Sequence, residues 1–266
     1  MKRGLRQKSG GFTILETIIV LTVTIALLGS TLALFQSRVP KTQFTKAVNE
    51  LSVQLTDVSN QVAVGNYPGA SDTKCSVSSG VPTLNTGGSG MGTNQDCIFL
   101  GQAVGAKSKE QLKVYTIFGS RLKSSGEAAT KLAEANPTSS VTYATQDYTT
   151  GFGLEVTKIT DQTRSYGGVA YIQSFGSGIN VSGEAEGSQQ VDLMPVSGNV
   201  GDGDGAFVSA ISSIGTIAAN PASGITICLK SGTTNQYAVL VLGANGNATD
   251  VQQRIVGSTE WGNYGC

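Results

Sequence analysis

The chain has 266 residues, and its 18 basic and 18 acidic side chains balance, so net charge favours no polyanionic partner. It contains no histidine, which excludes Ser-His-Asp triads, Cys-His pairs and histidine-ligated zinc or haem. Only 14% of the residues are charged and 35 are glycine, a composition typical of a turn-rich chain that favours β-structure. We therefore expect neither enzymatic activity nor a bound cofactor.

The N-terminal region combines a basic leader with a long apolar run. Four positive charges and no negative one precede Gly10-Gly11: Lys2, Arg3, Arg6 and Lys8. The 18 residues from Ile18 to Phe35 carry no charge, and as a helix they measure about 27 Å, close to the hydrocarbon thickness of a bilayer. The positive-inside rule keeps the leader in the cytoplasm and directs the chain after Phe35 outward. A secretory signal peptide is disfavoured, because its apolar region has only about 7–15 residues before an A-x-A-like site.

One carboxylate, Glu16, lies two residues before this uncharged run. A carboxylate in the membrane interior costs about 2.5–3.5 kcal/mol on insertion scales, so its position suggests a cationic partner at the same depth.

The string K-S-G-G-F-T-I-L-E resembles the class III signal of type IV prepilins and pseudopilins. The resemblance implies that a prepilin peptidase cuts between Gly11 and Phe12 and that the new amino group of Phe12 is methylated. It also implies that Glu16 pairs with the terminal ammonium of a neighbouring subunit. An uncleaved single-span anchor is the alternative.

Composition divides the chain into four parts: a leader at 1–11, a transmembrane and filament-core helix at 12–35, an amphipathic helix half at 36–63, and an extracytoplasmic β-rich head at 64–266. In the third part, apolar residues recur at steps of three and four: Phe44, Val48, Leu51, Leu55, Val58 and Val62. This spacing predicts one apolar stripe that packs beneath a β-sheet as part of the head core. A free coiled coil is the alternative, although fewer than three heptads are present.

The head begins with a stretch at 65–97 in which glycine and proline interrupt any helical or strand-like pattern of apolar residues. We therefore expect a Gly-rich loop there. From Ile98 onward, eight short β-type runs alternate with turns: IFLGQAV, LKVYTIFG, GLEVTKI, GGVAYIQSF, QVDLMPV, GITICL, YAVLVLG and DVQQRIV. Two interruptions, at 126–136 and 207–219, have helical character. The predicted fold class is α+β, with a long N-terminal helix packed on an antiparallel sheet as in pilins.

The closing strands are weakly similar to those of minor pseudopilins of type II secretion and of related minor pilins, some of which take part in DNA uptake. In that group, basic residues surround the final turn, whereas here the turn reads ANGNATD and is followed by Arg254 alone. A DNA-uptake minor pilin is therefore a lesser alternative, and we expect no nucleic-acid partner.

The four cysteines all follow the apolar run, on the predicted outer side: Cys75, Cys97, Cys228 and Cys266. An even number in an exported chain suggests disulfides, and three connectivities are possible. We favour sequential pairing, which ties off the Gly-rich loop and fastens the last residue to an interior strand. A cysteine-ligated metal is disfavoured because the chain has no C-x-x-C pair.

The string GDGDG at 201–205 makes Asp202 and Asp204 weak candidates for calcium ligands. The EF-hand template fails there, because no Glu occurs between Glu186 and Glu260, so we expect a solvated turn. Five lysines of the head are expected on a solvated face or loop: Lys107, Lys109, Lys113, Lys123 and Lys131.

Together these features predict a structural subunit that enters the cytoplasmic membrane as a single-pass protein and then joins an extracellular filament or pseudopilus for adhesion, motility or secretion. The family resemblance implies three partners: other pilin or pseudopilin subunits, a prepilin peptidase and a membrane assembly platform. A single-span surface adhesin, with a head that binds a partner through the Cys75–Cys97 loop, is the main alternative.

Overall fold

The computed structural model describes residues 13–66, 73–86, 97–174, 191–216, 221, 223–244 and 246–266, with the side chains of 33–38 left aside. The chain forms two compact units, Met1–Gln43 and Phe44–Cys266. We call the second unit the head. Helix α1, Ile14–Ala63, contributes to both units.

The head is α+β. Its strands are β1 (Thr73–Ser78), β2 (Val81–Thr86), β3 (Cys97–Ala106), β4 (Gln111–Ser120), β5 (Thr145–Thr149), β6 (Leu154–Thr160), β7 (Ser165–Gln173), β8 (Val191–Ser197), β9 (Ile225–Ser231), β10 (Tyr237–Leu242) and β11 (Val251–Val256). The head also has two short helices, α2 (Asp204–Ile211) and α3 (Ser258–Asn263). Two 3₁₀ turns lie at Leu132–Ala135 and Ile214–Thr216.

Nine of these strands form one antiparallel sheet. Its path runs β11-β10-β9-β6-β7-β3-β4-β5, and β8 pairs with β7 beside that path. The eight runs predicted from the sequence correspond to β3, β4 and β6 to β11, so these strands are confirmed. Most of them could be predicted because they carry the dense apolar and β-branched residues of a buried strand, whereas β11, with the burial of an edge strand, has apolar residues only at its ends.

The predicted stripe of α1 lies in the core of the head. All six of its side chains, from Phe44 to Val62, are at most 3% exposed. They share one apolar cluster with the inward residues of the sheet, among them Leu112, Leu154, Leu229 and Leu240. The prediction of a core helix is therefore confirmed, because a stripe with 3.6-residue spacing buries one helix face against a sheet.

The opposite face of the sheet carries a second apolar cluster beneath α2. The Phe207 ring packs where β3 and β7 carry Gly105 and Gly168: a Cβ at either position would lie within 2.8 Å of the ring. Glycine at these two places lets an aromatic ring approach the backbone of the sheet.

The end of α1 is held by amides from the sheet. Gln102 of β3 donates through Nε2 to the carbonyl of Asn66 at 2.9 Å, and Gln173 of β7 donates through Nε2 to the carbonyl of Val62 at 2.9 Å. The first bond holds the turn that follows α1 against β3, and the second adds to the bond that the carbonyl of Val62 accepts from the N–H of Gly65 at 3.1 Å.

Some predictions were wrong. The stretch at 65–97 contains the antiparallel hairpin β1–β2 rather than a loop alone. The segment 126–136 holds only the 3₁₀ turn Leu132–Ala135, and β5 and α3 were missed. The helical segment expected at 207–219 starts earlier, at Asp204, and residues 217–220 lie outside the described residues.

Candidate functional site

The first turn of α1 contains the candidate assembly residue Glu16. The N–H and the hydroxyl of Thr13 each donate to Oε2 of Glu16 at 3.4 Å, and the N–H of Glu16 donates to Oγ1 of Thr13 at 3.3 Å. This reciprocal arrangement is a capping box, which satisfies N–H groups that the helix itself leaves unpaired. The T-x-x-E pattern was visible in the sequence but was not recognised. Gly11 and Phe12, the predicted cleavage and methylation residues, lie outside the described residues.

The apolar part of this helix has no cover within the described chain. Ile14–Leu32 has a mean hydropathy of 2.0, and none of it is buried. Its 19 residues give about 28 Å of helix, so one N-terminal helix is long and apolar enough to span a membrane. Glu16 is the only ionisable residue in the sequence between Thr13 and Phe35.

The hydroxyl groups of this helix are satisfied by its own backbone. Each donates to a carbonyl three or four residues earlier, at 2.8–3.0 Å: Thr17, Thr22, Thr24, Ser30 and Thr31. Side chains bonded in this way do not need water, so they fit a lipid or protein environment. This leaves the Glu16 carboxylate as the group of the apolar helix that most needs a polar partner.

The head is cross-linked at two places. Cys75 is bonded to Cys97, which joins β1 to β3, and Cys228 is bonded to Cys266, which joins β9 to the last residue. This is the sequential pairing that the sequence favours. Both links restrict the unfolded chain and so stabilise the head.

The C-terminal segment is held against the sheet by more than its disulfide. The ring of Trp261 packs on Tyr237 with 4.9 Å between centroids, and the Lys158 ammonium donates to the carbonyl of Gly265 at 2.6 Å. The segment after β11 is therefore an integral part of the head.

Asp204 is part of an ion pair rather than of the solvated turn we expected. The Lys113 Nζ lies 3.0 Å from its Oδ2, and the Lys107 Nζ lies 4.0 Å away. Burial acts to raise the pKa of Asp204, but the hydrogen bond and charge of Lys113 outweigh it, so the pKa lies below its usual value. The expectation for Lys113 is also wrong, since its side chain is 8% exposed. Its partner is 91 residues away along the chain, which local patterns do not reveal.

Asp202 has a different role. Its Oδ2 accepts a hydrogen bond from the N–H of Asn199 at 2.6 Å, which closes the turn before α2. Within the described ranges, no group of three or more aspartate, glutamate, cysteine or histidine side chains is placed to hold a metal ion. The Asp202 carboxylate therefore closes the turn before α2, whereas the Asp204 carboxylate pairs with Lys113 of β4.

A small cavity lies beside these residues. It measures about 30 Å³ and is lined by Lys107, Tyr115, Gly198 and Phe207. Pockets for organic ligands usually measure about 300–1,000 Å³, so this space suits a water molecule rather than a substrate.

Comparison with protein-family models, curated proteins and solved structures found no match to this chain.

Proposed function

We propose that this chain is a type IV pilin-like structural subunit. In this proposal, a prepilin peptidase cuts between Gly11 and Phe12, the apolar helix anchors the mature chain in the cytoplasmic membrane, and a membrane assembly platform adds it to an extracellular filament of like subunits. The observation that carries the proposal is the helix Ile14–Leu32, which is apolar on all sides and follows a diglycine, with one carboxylate in its first turn.

An all-round apolar helix needs cover from outside its own chain. Lipid supplies that cover in the membrane, and the helices of neighbouring subunits supply it in a filament. Because these two environments are similarly apolar, a subunit can pass from one to the other without a large loss of solvation free energy.

Glu16 gives the assembly its register. A carboxylate in an apolar bundle is stabilised only where a cation meets it, and cleavage before Phe12 creates a terminal ammonium. The bonds from Thr13 to Glu16 both use Oε2 and are long, so the carboxylate retains capacity for a stronger, charged donor. Registers that leave the carboxylate alone are disfavoured.

The first test is the mature N-terminus. Mass spectrometry of the chain from its own cells should find N-methylated Phe12 as the first residue. A chain that still begins at Met1, or that begins at another residue, contradicts the proposal and favours a single-span anchored adhesin.

The second test separates processing from assembly. Glu16→Ala should be cleaved normally but should yield no filaments by electron microscopy, because the neighbour's ammonium loses its anion. Glu50→Ala is the matched control: Glu50 lies on the same helix, is exposed and pairs with Lys46 at 3.6 Å. The control should form filaments. Normal filaments from Glu16→Ala would contradict the assigned role.

Gold labelling of the head would then define the position of the subunit. Continuous labelling along filaments is expected of a major subunit, and labelling at the ends alone is expected of a minor one.

A further inference from the structure

The two edges of the large sheet are complementary to each other. Strand β11 pairs only with β10, and strand β5 pairs only with β4, among the strands that the structure describes. An edge strand presents a row of backbone N–H and C=O groups to solvent, and these groups can pair with another strand.

The relative chain direction of the two edge strands follows from the number of strands between them. Eight strands lie on the path from β11 to β5, and each neighbouring pair is antiparallel. Seven reversals separate the two edges, so β5 runs opposite to β11. A second copy placed beside the first in the same orientation therefore offers its β5 antiparallel to β11, and the sheet continues without a change of pattern.

The side chains of the two edges also match. Arg254 faces Val239 across β10–β11, and Asp147 faces Lys113 across β4–β5. Val239 and Lys113 both alternate with strand residues of the core cluster under α1, such as Leu240 and Val114, so both lie on the sheet face opposite α1.

Arg254 and Asp147 therefore lie on one face of a continued sheet, and each is exposed. Neither forms an ion pair within the described part of the chain, where Arg254 donates to the hydroxyl of Tyr264 at 3.3 Å. Opposite charges on neighbouring strands stabilise the pair, whereas like charges destabilise it.

We propose that β11 of one head and β5 of the head of a second copy form an antiparallel edge-to-edge contact, with Arg254 opposite Asp147. This inference rests on the proposed filament function and extends it. The contact joins two different surfaces, so it does not pair off two copies as a two-fold contact does, and each added copy offers a further edge to the next one.

Paired cysteines test the contact in the full-length chain. Directly opposite residues of antiparallel strands have Cα atoms about 4.5–5.5 Å apart, a distance that a disulfide spans. The double variant Arg254→Cys/Asp147→Cys, produced in the cells that make the protein, should give a ladder of covalent multimers on non-reducing gels. Peptide mass spectrometry should find residues 254 and 147 linked between chains. The matched control, Arg254→Cys/Val53→Cys, places its second cysteine on an exposed site of α1 and should give no ladder.

A charge exchange gives a second measurement. Arg254→Asp alone should reduce filament yield, because two carboxylates then face each other, and Arg254→Asp/Asp147→Arg should restore it. Filaments that form without a ladder overturn the edge contact and leave the proposed function in place. A ladder without filaments supports the contact and removes the filament proposal. A dimer from Arg254→Cys alone overturns the contact in favour of a two-fold pairing of β11 with itself.

Discussion

The N-terminal apolar helix and the head are both rich in apolar side chains, but these are exposed in the apolar helix and buried in the head. Every side chain of Ile14–Leu32 is exposed, whereas the six stripe residues of the same helix from Phe44 to Val62 are almost fully buried. The difference is one of pattern rather than of composition. An apolar stripe can be covered by one sheet, but a helix that is apolar on every side needs neighbours all around it.

This contrast separates two sources of stability. The head obtains its contacts from its own chain, through the core under α1, two disulfides and the bonded end of α1. In the proposed function, the apolar helix obtains its contacts from lipid or from other copies. Substitutions in the head should therefore change its free energy of unfolding, and substitutions in the apolar helix should change membrane insertion or assembly instead.

The sharpest test of this separation compares two leucines of α1. Leu55 is 1% exposed in the head core, and Leu21 is 61% exposed in the apolar segment. Leu55→Ala should lower the free energy of unfolding of the head by about 2–5 kcal/mol, because it removes buried apolar atoms and leaves a cavity. Leu21→Ala should leave that free energy unchanged. Denaturant unfolding of the full chain in detergent, followed by tyrosine and tryptophan fluorescence, measures both. Equal losses in the two variants would show that the separation is wrong.

The next largest effect is expected from the C-terminal disulfide. Replacing Cys228 and Cys266 by alanine should destabilise the head by about 2–4 kcal/mol, since the unfolded chain regains the freedom of a long loop. The sequence separations are 38 residues here and 22 residues for Cys75–Cys97. Loop entropy alone makes the C-terminal link the stronger by only about 0.5 kcal/mol.

Thermal unfolding of the two double-alanine variants, each compared with the parent, checks this order. Cys228 is fully buried and Cys75 is 2% exposed, so the loss of either link should add a packing cost to the entropic one, and the difference in loop length decides the expected order. A larger loss of thermal stability in the variant that lacks Cys75–Cys97 would mean that the β1–β2 hairpin stabilises the head more than its loop length predicts.

The parts of the head that could be predicted from the sequence are those in which the apolar residues follow the pattern of one type of secondary structure. The α1 stripe has helical spacing, and the confirmed strands other than β11 are rich in apolar residues, so tertiary packing and local pattern agree. The hairpin β1–β2 was missed because TKCSVS and VPTLNT are short and polar, with Pro82 in the second strand and glycine-rich stretches around them. Helix α3 was missed because six residues, with Gly262 among them, show no helical period.

Prediction of the polar sites was less complete, for a physical reason. The capping box of Thr13 and Glu16 is local and was readable. In contrast, Lys113 is buried only because the fold brings Asp204 and the carbonyl of Val141 to it. Such pairings depend on topology, so a lysine on a strand looks like any other exposed lysine until the strand order is known.

A smaller effect is expected at the end of α1. Gln102 is fully buried and donates to the carbonyl of Asn66. Gln102→Met keeps a similar volume but removes the donor to the carbonyl of Asn66 and to the side-chain oxygen of Gln61, so the loss of these two hydrogen bonds should destabilise the head by about 1–3 kcal/mol. Hydrogen exchange should report the loss first in the last turn of α1, near Val62. Unchanged protection there would show that the amide of Gln173, which bonds to Val62, is sufficient to fix the helix end.

The smallest expected effect concerns a carboxylate that the head satisfies internally, in contrast to Glu16. Asp161 accepts bonds from the N–H groups of Thr163 and Arg164 and from the hydroxyl of Tyr166 at 2.6 Å. Burial acts to raise the pKa of Asp161, but the bonds from Tyr166 and Thr163 outweigh it and hold the pKa well below its usual value. Because the folded-state pKa is the lower one, the stabilisation is fully present above the unfolded-state pKa of about 3.9 and is lost as pH falls toward the folded-state value.

Asp161→Asn should therefore cost about 1–2 kcal/mol near neutral pH, and the difference from the parent should shrink below about pH 4. Urea unfolding at a series of pH values measures this difference. A difference in the free energy of unfolding that stays constant through the acid range would mean that the turn depends on the shape of the Asp161 side chain and not on its charge.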